Sequence, residues 1–140
     1  MLSSPVAFVD TGFWIAFLIR RDALHDKAHA LFREVTARKA SLVCTSAVLV
    51  ETLDGLASHG VRYQSSVLRQ VVAQSQRLEV IHIDEALFAR GWDLYQSRTD
   101  KSWSLTDCLS FVVMRERGVA EALAHDHHFE QAGFRALLRD

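Results

Sequence analysis

Short apolar segments alternate with longer amphipathic ones along the chain, and this alternation limits the folds open to it. Apolar runs of strand length occur at residues 6–10, 41–45 and 78–83. Each is followed by a segment whose apolar residues recur three and four positions apart, as in a helix. Weaker strands are predicted at 120–126 and 134–139. The pattern predicts an α/β fold with a parallel sheet covered by helices on both faces.

The predicted helices lie between these strands and begin at polar residues. They cover residues 11–19, 22–39, 46–57, 61–77, 85–97, 103–114 and 127–133. Ser46 and Asp84 have side chains suited to N-capping, so we expect them to begin their helices.

The overall composition is that of one globular domain. The chain has 140 residues, a length typical of a single domain, and its six glycines and single proline leave no obvious linker. A net charge of −1 gives no general basic surface for nucleic acid, so a polyanion would need a local patch or a metal ion. No apolar run approaches the roughly 20 residues that span a bilayer, and we expect a soluble, cytoplasmic protein. Cys44 and Cys108 are expected to be buried thiols.

An acidic residue lies inside a segment that otherwise resembles a buried helix. In WSLTDCLSFVVM, residues 103–114, Cys108 and Val112 follow Leu105 at helical spacing, and Asp107 lies among them. An ionised carboxylate in such surroundings is costly unless a cap, a charge or a metal compensates it.

Helix capping can explain three of the acids without any catalytic or metal-binding role. Ser104 as N-cap with Asp107 three residues later has the spacing of a capping box. Asp10 and Asp126 each follow a predicted strand and are placed to cap the next helix. Glu51 lies in the middle of a predicted helix, where no cap is needed.

Brought together, these four acids would favour a hard cation. Clustered carboxylates resist ionisation unless a cation lies among them. Asp10 and Asp126 fall at predicted strand carboxyl ends, which is where ligands bind in open parallel sheets. Mg²⁺ suits such a site because it prefers oxygen ligands and keeps several of its waters. Spacing along the chain is compatible with this convergence but does not establish it.

Four segments resemble the acidic motifs of the PIN-domain ribonucleases, in the same order. They are FVDTGFWIAFL, TSAVLVETL, SLTDCLSFVVM and ALAHDHHFEQAGF. The last is similar to the ending of many VapC-like toxins of toxin-antitoxin modules. The resemblance implies one PIN-like domain over residues 1–140, a three-layer α/β/α sandwich whose five-stranded, mainly parallel sheet has the order 3-2-1-4-5. It would place the first and fourth strands side by side.

The resemblance also implies roles for particular residues. The acidic metal-binding and catalytic set would be Asp10, Glu51, Asp107 and Asp126. Asp10 and Asp107 resemble the firmest metal ligands. The hydroxyl residues that resemble those often found beside these acids are Thr11, Ser104 and Thr106.

The implied activity is hydrolysis of RNA by an endoribonuclease that uses Mg²⁺, for which Mn²⁺ can substitute. The implied partners are an RNA substrate, a cognate antitoxin and a second copy of the chain. Two alternatives remain open: a PIN nuclease of RNA processing without a toxin role, and a non-catalytic α/β binding module whose acids act as caps. Arg98 and Lys101, just before the third motif, are candidates for contacts to RNA phosphates.

The histidines raise the possibility of zinc. The sequence HDHH occupies residues 125–128. Adjacent histidines at this position are expected to point in different directions, and no other Cys or His pair has standard zinc spacing. We therefore do not predict a zinc site.

Overall fold

The computed structural model describes all 140 residues and contains five strands and seven α-helices. The strands are β1 (Val6–Val9), β2 (Ser41–Thr45), β3 (Leu78–Ile81), β4 (Glu121–Leu123) and β5 (Arg135–Ala136). The helices are α1 (Thr11–Leu18), α2 (His25–Ala37), α3 (Ser46–Ser58), α4 (Ser65–Gln74), α5 (Glu85–Ser97), α6 (Leu105–Arg117) and α7 (His127–Gln131). None of these helices is long and apolar enough to cross a bilayer.

All five strands are parallel and lie in the order β3-β2-β1-β4-β5, which confirms the predicted fold. Phe8 of the central strand pairs with Val43 of β2 on one side and Ala122 of β4 on the other. The order of strands therefore reverses between β1 and β4. Parallel sheets open a crevice at the carboxyl ends of the strands on either side of such a reversal.

The core packs tightly around β1 and the start of α1, next to the carboxyl edge of the sheet. β1 is buried from Ala7 to Val9, and Phe13 and Trp14 of α1 are fully buried beside it. Cys44 and Cys108 are free and buried, as expected from the sequence. Because β1 lies in the middle of the sheet, the residue that follows it has packed structure on both sides.

A buried carboxylate joins the start of the chain to the sheet. Glu121, at the beginning of β4, is only 4% exposed. It accepts hydrogen bonds from the backbone N–H groups of Ser3 and Ser4 and from the Arg135 guanidinium. These charge-assisted bonds satisfy a group that would otherwise be costly to bury.

Several predicted segments differ from the observed elements. The helix predicted for 22–39 is shorter, that predicted for 103–114 begins and ends later, and Leu137–Arg139 of the strand predicted for 134–139 forms a 3₁₀ turn. The strand predicted for 120–126 ends at Leu123, because the following residues turn so that Asp126 can cap α7. The helix predicted for 61–77 starts as a short 3₁₀ turn at Arg62–Gln64 that leads into α4, because Val61 has a non-helical backbone, and it ends at Gln74, because Ser75 is extended.

The start of α3 also differs from the prediction. Thr45, not Ser46, is the N-cap, and its hydroxyl accepts the Val48 N–H at 3.2 Å. Thr45 still has the extended backbone of β2, which an N-cap requires. The Ser46 hydroxyl instead accepts the Ile83 N–H. Asp84 caps α5 as predicted.

Candidate active site

Asp10 is the first residue after β1 and is only 5% exposed. Its backbone is extended, as at an N-cap, but its side chain accepts no capping hydrogen bond from α1. Its backbone N–H bonds to the Leu123 carbonyl of β4. Helix capping therefore does not account for an acid at this buried position.

Asp107 lies in the first turn of α6 and forms the predicted capping box. The Ser104 hydroxyl accepts the Asp107 N–H at 3.0 Å, and Asp107 Oδ2 accepts the Ser104 N–H at 3.1 Å. The side chain is nevertheless turned inward, with the residue 7% exposed. The capping box thus holds the carboxylate at a buried position, but it does not explain why an acid is buried there.

Asp126 is the N-cap of α7, as the capping interpretation predicted. Its Oδ1 accepts the His128 N–H at 2.9 Å. The side chain is 37% exposed, so this acid is the more open of the two that flank His128.

His128 lies between two of the predicted acids, and the sequence analysis did not identify it. Its Nδ1 is 3.1 Å from Asp107 Oδ2 and 3.2 Å from Asp126 Oδ2, and its Nε2 is 3.3 Å from the Ser102 hydroxyl. The side chain is 15% exposed. The sequence feature that could have identified His128 is its position two residues after Asp126, the acid predicted to cap α7.

The expectation that His127 and His128 point in different directions is wrong. His127 Nδ1 lies 3.5 Å from Asp126 Oδ1, and both rings turn back toward the N-cap carboxylate. A ligand atom from each of these three residues lies within 4.8 Å of the others. His127 differs in being exposed at the surface, with a side-chain exposure of 58%.

Glu51 is exposed on α3 and lines a cleft of about 490 Å³. Thr106 of α6 and Phe88 of α5 lie on other walls of this cleft, and Asp54 lines it beside Glu51. Glu51 accepts no hydrogen bond from the protein, so its carboxylate is uncommitted at the mouth of the cleft.

The charges of the other three predicted acids all act on the pKa of Asp10. Burial, together with the negative charge of Asp107, raises the pKa of Asp10 from 3.8 to about 8. The charges of Glu51 and Asp126 act in the same direction, while the Thr11 N–H lowers the pKa. Asp10 therefore keeps its proton near neutral pH unless a cation replaces it.

The three hydroxyl residues differ in their contacts. Ser104 bonds an acid directly through the capping box. The Thr11 hydroxyl donates to the Val48 carbonyl at 3.5 Å, and Thr106 lines the cleft beside Glu51. None of the three hydroxyl groups bonds a site carboxylate; Ser104 reaches Asp107 Oδ2 through its backbone N–H.

The two candidate phosphate contacts lie in a neighbouring cleft of about 580 Å³. Arg98 bonds both oxygens of Asp100 and lies over the Trp103 ring at 4.8 Å. Lys101 lies 3.6 Å from the same Asp100 carboxylate. Both cations are thus partly neutralised in the absence of a polyanion.

The donor set fits a hard divalent cation. Carboxylate oxygens are the ligands that Mg²⁺ and Mn²⁺ prefer. Asp10 is buried among three other acids and has no basic side chain among the groups that perturb its pKa. Asp107 Oδ1 accepts no hydrogen bond from the protein, since both hydrogen bonds to this carboxylate use Oδ2. A cation would supply the positive charge that these acids lack.

Comparison with known proteins agrees with this geometry. Residues 7–135 match the model of the PIN domain family. The chain is 31% identical over 127 residues to the 23S rRNA-specific endonuclease VapC20 from two strains of Mycobacterium tuberculosis. The aligned region covers 91% of this chain and 94% of the relative.

Two solved structures share the fold. The crystal structure of M. tuberculosis VapC20, a Sarcin-Ricin loop cleaving toxin, has a TM-score of 0.80 and 29% identity, covering 92% of this chain and 95% of that one. FitAcB from Neisseria gonorrhoeae has a TM-score of 0.60 and 15% identity, covering 94% of each chain, and this likeness concerns the fold alone.

The matched region includes all four acids, and the relatives are similar over nearly their whole length. Sheet order, the acids at its carboxyl edge and the sequence match agree, and the chain belongs to the PIN-domain family as a homologue of VapC-type endonuclease toxins.

Proposed function

We propose that the protein is a Mg²⁺- or Mn²⁺-dependent endoribonuclease and the toxin of a toxin-antitoxin module. The observation that supports this most strongly is the buried Asp10 carboxyl, on whose pKa the charges of Asp107, Glu51 and Asp126 all act. Such an arrangement is costly for folding and has a clear use as a metal site.

In this proposal Asp10 and Asp107 hold the metal ion, and Glu51 and Asp126 complete its surroundings. A bound divalent ion would lower the pKa of an attacking water and stabilise charge on the phosphodiester. Asp10 must release its proton before it can act as a ligand. Glu51 is exposed at the cleft mouth without a hydrogen-bond partner, so it is placed to accept a proton from the water.

The RNA itself must be held by groups around the acids. Lys101 is the better candidate for a phosphate contact, because Arg98 is bidentate on Asp100 and stacked on Trp103. The relative VapC20 acts on 23S rRNA, and we propose a structured RNA of the same class as substrate. Action on such an RNA would place the protein in the cytoplasm.

A homodimer and a cognate antitoxin are the proposed protein partners. Several large apolar side chains are exposed on α3 and α5: Val50, Leu53, Phe88, Trp92 and Tyr95. Val50 and Phe88 line the same cleft, and the Phe88 ring packs against Trp92, so some of these side chains are neighbours. Contiguous exposed apolar groups mark surfaces that bind other proteins. An antitoxin segment that reaches the cleft beside Glu51 would also obstruct the acids.

The test is cleavage of a mixed RNA pool by purified protein in Mg²⁺, Mn²⁺ or EDTA. Asp10→Asn and Asp107→Asn should abolish cleavage while leaving the protein folded. Asp54→Asn is the matched control, because Asp54 lines the same cleft but lies outside the predicted set. If all proteins cut alike, or none cuts, the binding-module alternative is favoured.

A further inference from the structure

His128 is the one side chain that contacts two of the proposed metal-site acids at once. Its Nδ1 forms a hydrogen bond with Asp107 Oδ2 at 3.1 Å, and Asp126 Oδ2 lies 3.2 Å from the same nitrogen. Carboxylate oxygens only accept hydrogen bonds, so Nδ1 is the donor. The ring therefore separates two like charges that would otherwise face each other across a few ångströms.

The ring is held in this orientation from three sides. Its own backbone N–H is bonded to Asp126 Oδ1, which fixes the first turn of α7. Its Nε2 lies 3.3 Å from the Ser102 hydroxyl, which can donate to it. The next residue, Phe129, is fully buried and anchors the helix in the core. Such restraint is expected of a group that orients metal ligands.

The contacts of His128 also decide which ligand oxygens remain free. The ring and the Ser104 N–H both bond Asp107 Oδ2, so Oδ1 accepts no hydrogen bond from the protein. A fixed Oδ2 sets the rotation of the carboxylate and hence the direction in which Oδ1 points. His127 makes no contact with Asp107 and cannot do this.

We propose that His128 is a positioning residue of the metal site: its Nδ1–H sets the orientation of Asp107 and holds Asp126 beside it. This inference rests on the proposed function, because it concerns the same metal site. It assigns His128 no bond to the metal, in keeping with the preference of Mg²⁺ and Mn²⁺ for oxygen.

The test is a Mn²⁺ titration followed by electron paramagnetic resonance, at one pH, on the wild type, three His128 variants and one control variant. His128→Asn keeps an N–H donor near the place of Nδ1, whereas His128→Gln places its amide nearer that of Nε2. His128→Leu removes the donor. We expect the Gln and Leu variants to bind Mn²⁺ about 10- to 100-fold more weakly, and the Asn variant to recover most of the affinity. His125→Asn is the matched control, because His125 is exposed and its side chain bonds none of the four acids, and it should bind like the wild type.

Circular dichroism would show that each variant is folded before its affinity is compared. Equal Mn²⁺ affinity in the wild type and the Leu variant would overturn the inference while leaving the proposed function intact. An Asn variant as weak as the Leu variant would also overturn it, since the donor would then not matter. A nitrogen coupling to bound Mn²⁺ that disappears in the Leu variant would make His128 a ligand instead. If the wild type binds no Mn²⁺, both proposals fail.

Discussion

Asp10→Asn should make the metal-free protein more stable, and the gain should depend on pH. Asparagine has nearly the shape of the protonated acid but never ionises. Burial, with the charge of Asp107 and the other acids, raises the pKa of Asp10 from 3.8 to about 8. At 1.36 kcal/mol for each pH unit between these values, ionising Asp10 costs the folded state roughly 6 kcal/mol.

The sign follows from which state loses its proton first. Below about pH 4, Asp10 is protonated in both the folded and the unfolded chain, so wild type and variant should be similarly stable. Between about pH 4 and pH 8 the unfolded chain ionises and the folded chain does not, so the wild type loses stability as the pH rises. The variant should be more stable by about 4 kcal/mol at pH 7, a large share of a typical domain's stability.

Urea unfolding in EDTA at pH 4, 6 and 8 would measure this difference, with Asp54→Asn as the exposed control. Addition of Mg²⁺ at pH 8 should stabilise the wild type but not Asp10→Asn, because only the wild type has the ligand. A variant no more stable than the wild type at pH 8 would refute the reasoning. So would a variant that Mg²⁺ stabilises equally.

Three further substitutions test the supports of the site by urea unfolding. Ser104→Ala removes the hydroxyl of the capping box and should cost about 1 kcal/mol; no loss would contradict the cap. Burial opposes ionisation of Glu121, but the hydrogen bonds from Ser3 and its neighbours prevail and lower its pKa. Glu121→Gln should therefore cost roughly 1.5–3 kcal/mol at pH 7 and less as the pH falls below 4; a pH-independent loss would contradict this. Gly91→Ala would bring a Cβ within 2.4 Å of Leu109 Cδ2, so we expect a loss of about 1–3 kcal/mol instead of the usual gain in helix propensity.

The fold was predictable because its signals are local and repeated. The three longer strands, β1 to β3, each correspond to an apolar run in the sequence. The capping box is visible in the sequence because Asp107 follows Ser104 by three residues. The strand order came from family resemblance, since the alternation of strands and helices does not fix which strands are neighbours. Convergence of the acids is likewise a property of the folded sheet.

Other features depend on tertiary contacts that local patterns do not show. Glu51 has apolar neighbours in sequence, but Val50 and Leu53 are exposed with it, while Val48, Thr52 and Leu56 face the core. The partnership of His128 with Asp107 depends on how the turn after β4 meets the start of α6. No periodicity in the sequence predicts this tertiary contact.

The pairing of β1 with β4 has a consequence for the timing of synthesis. Asp10 and Glu51 are translated before Asp107 and Asp126. A ribosome-bound chain that lacks the last third of the sequence has no complete set of acids and no partner for the β4 side of β1. That open strand edge is a point at which a nascent chain can aggregate. The same order means that the acidic site cannot assemble before Asp126 has been synthesised.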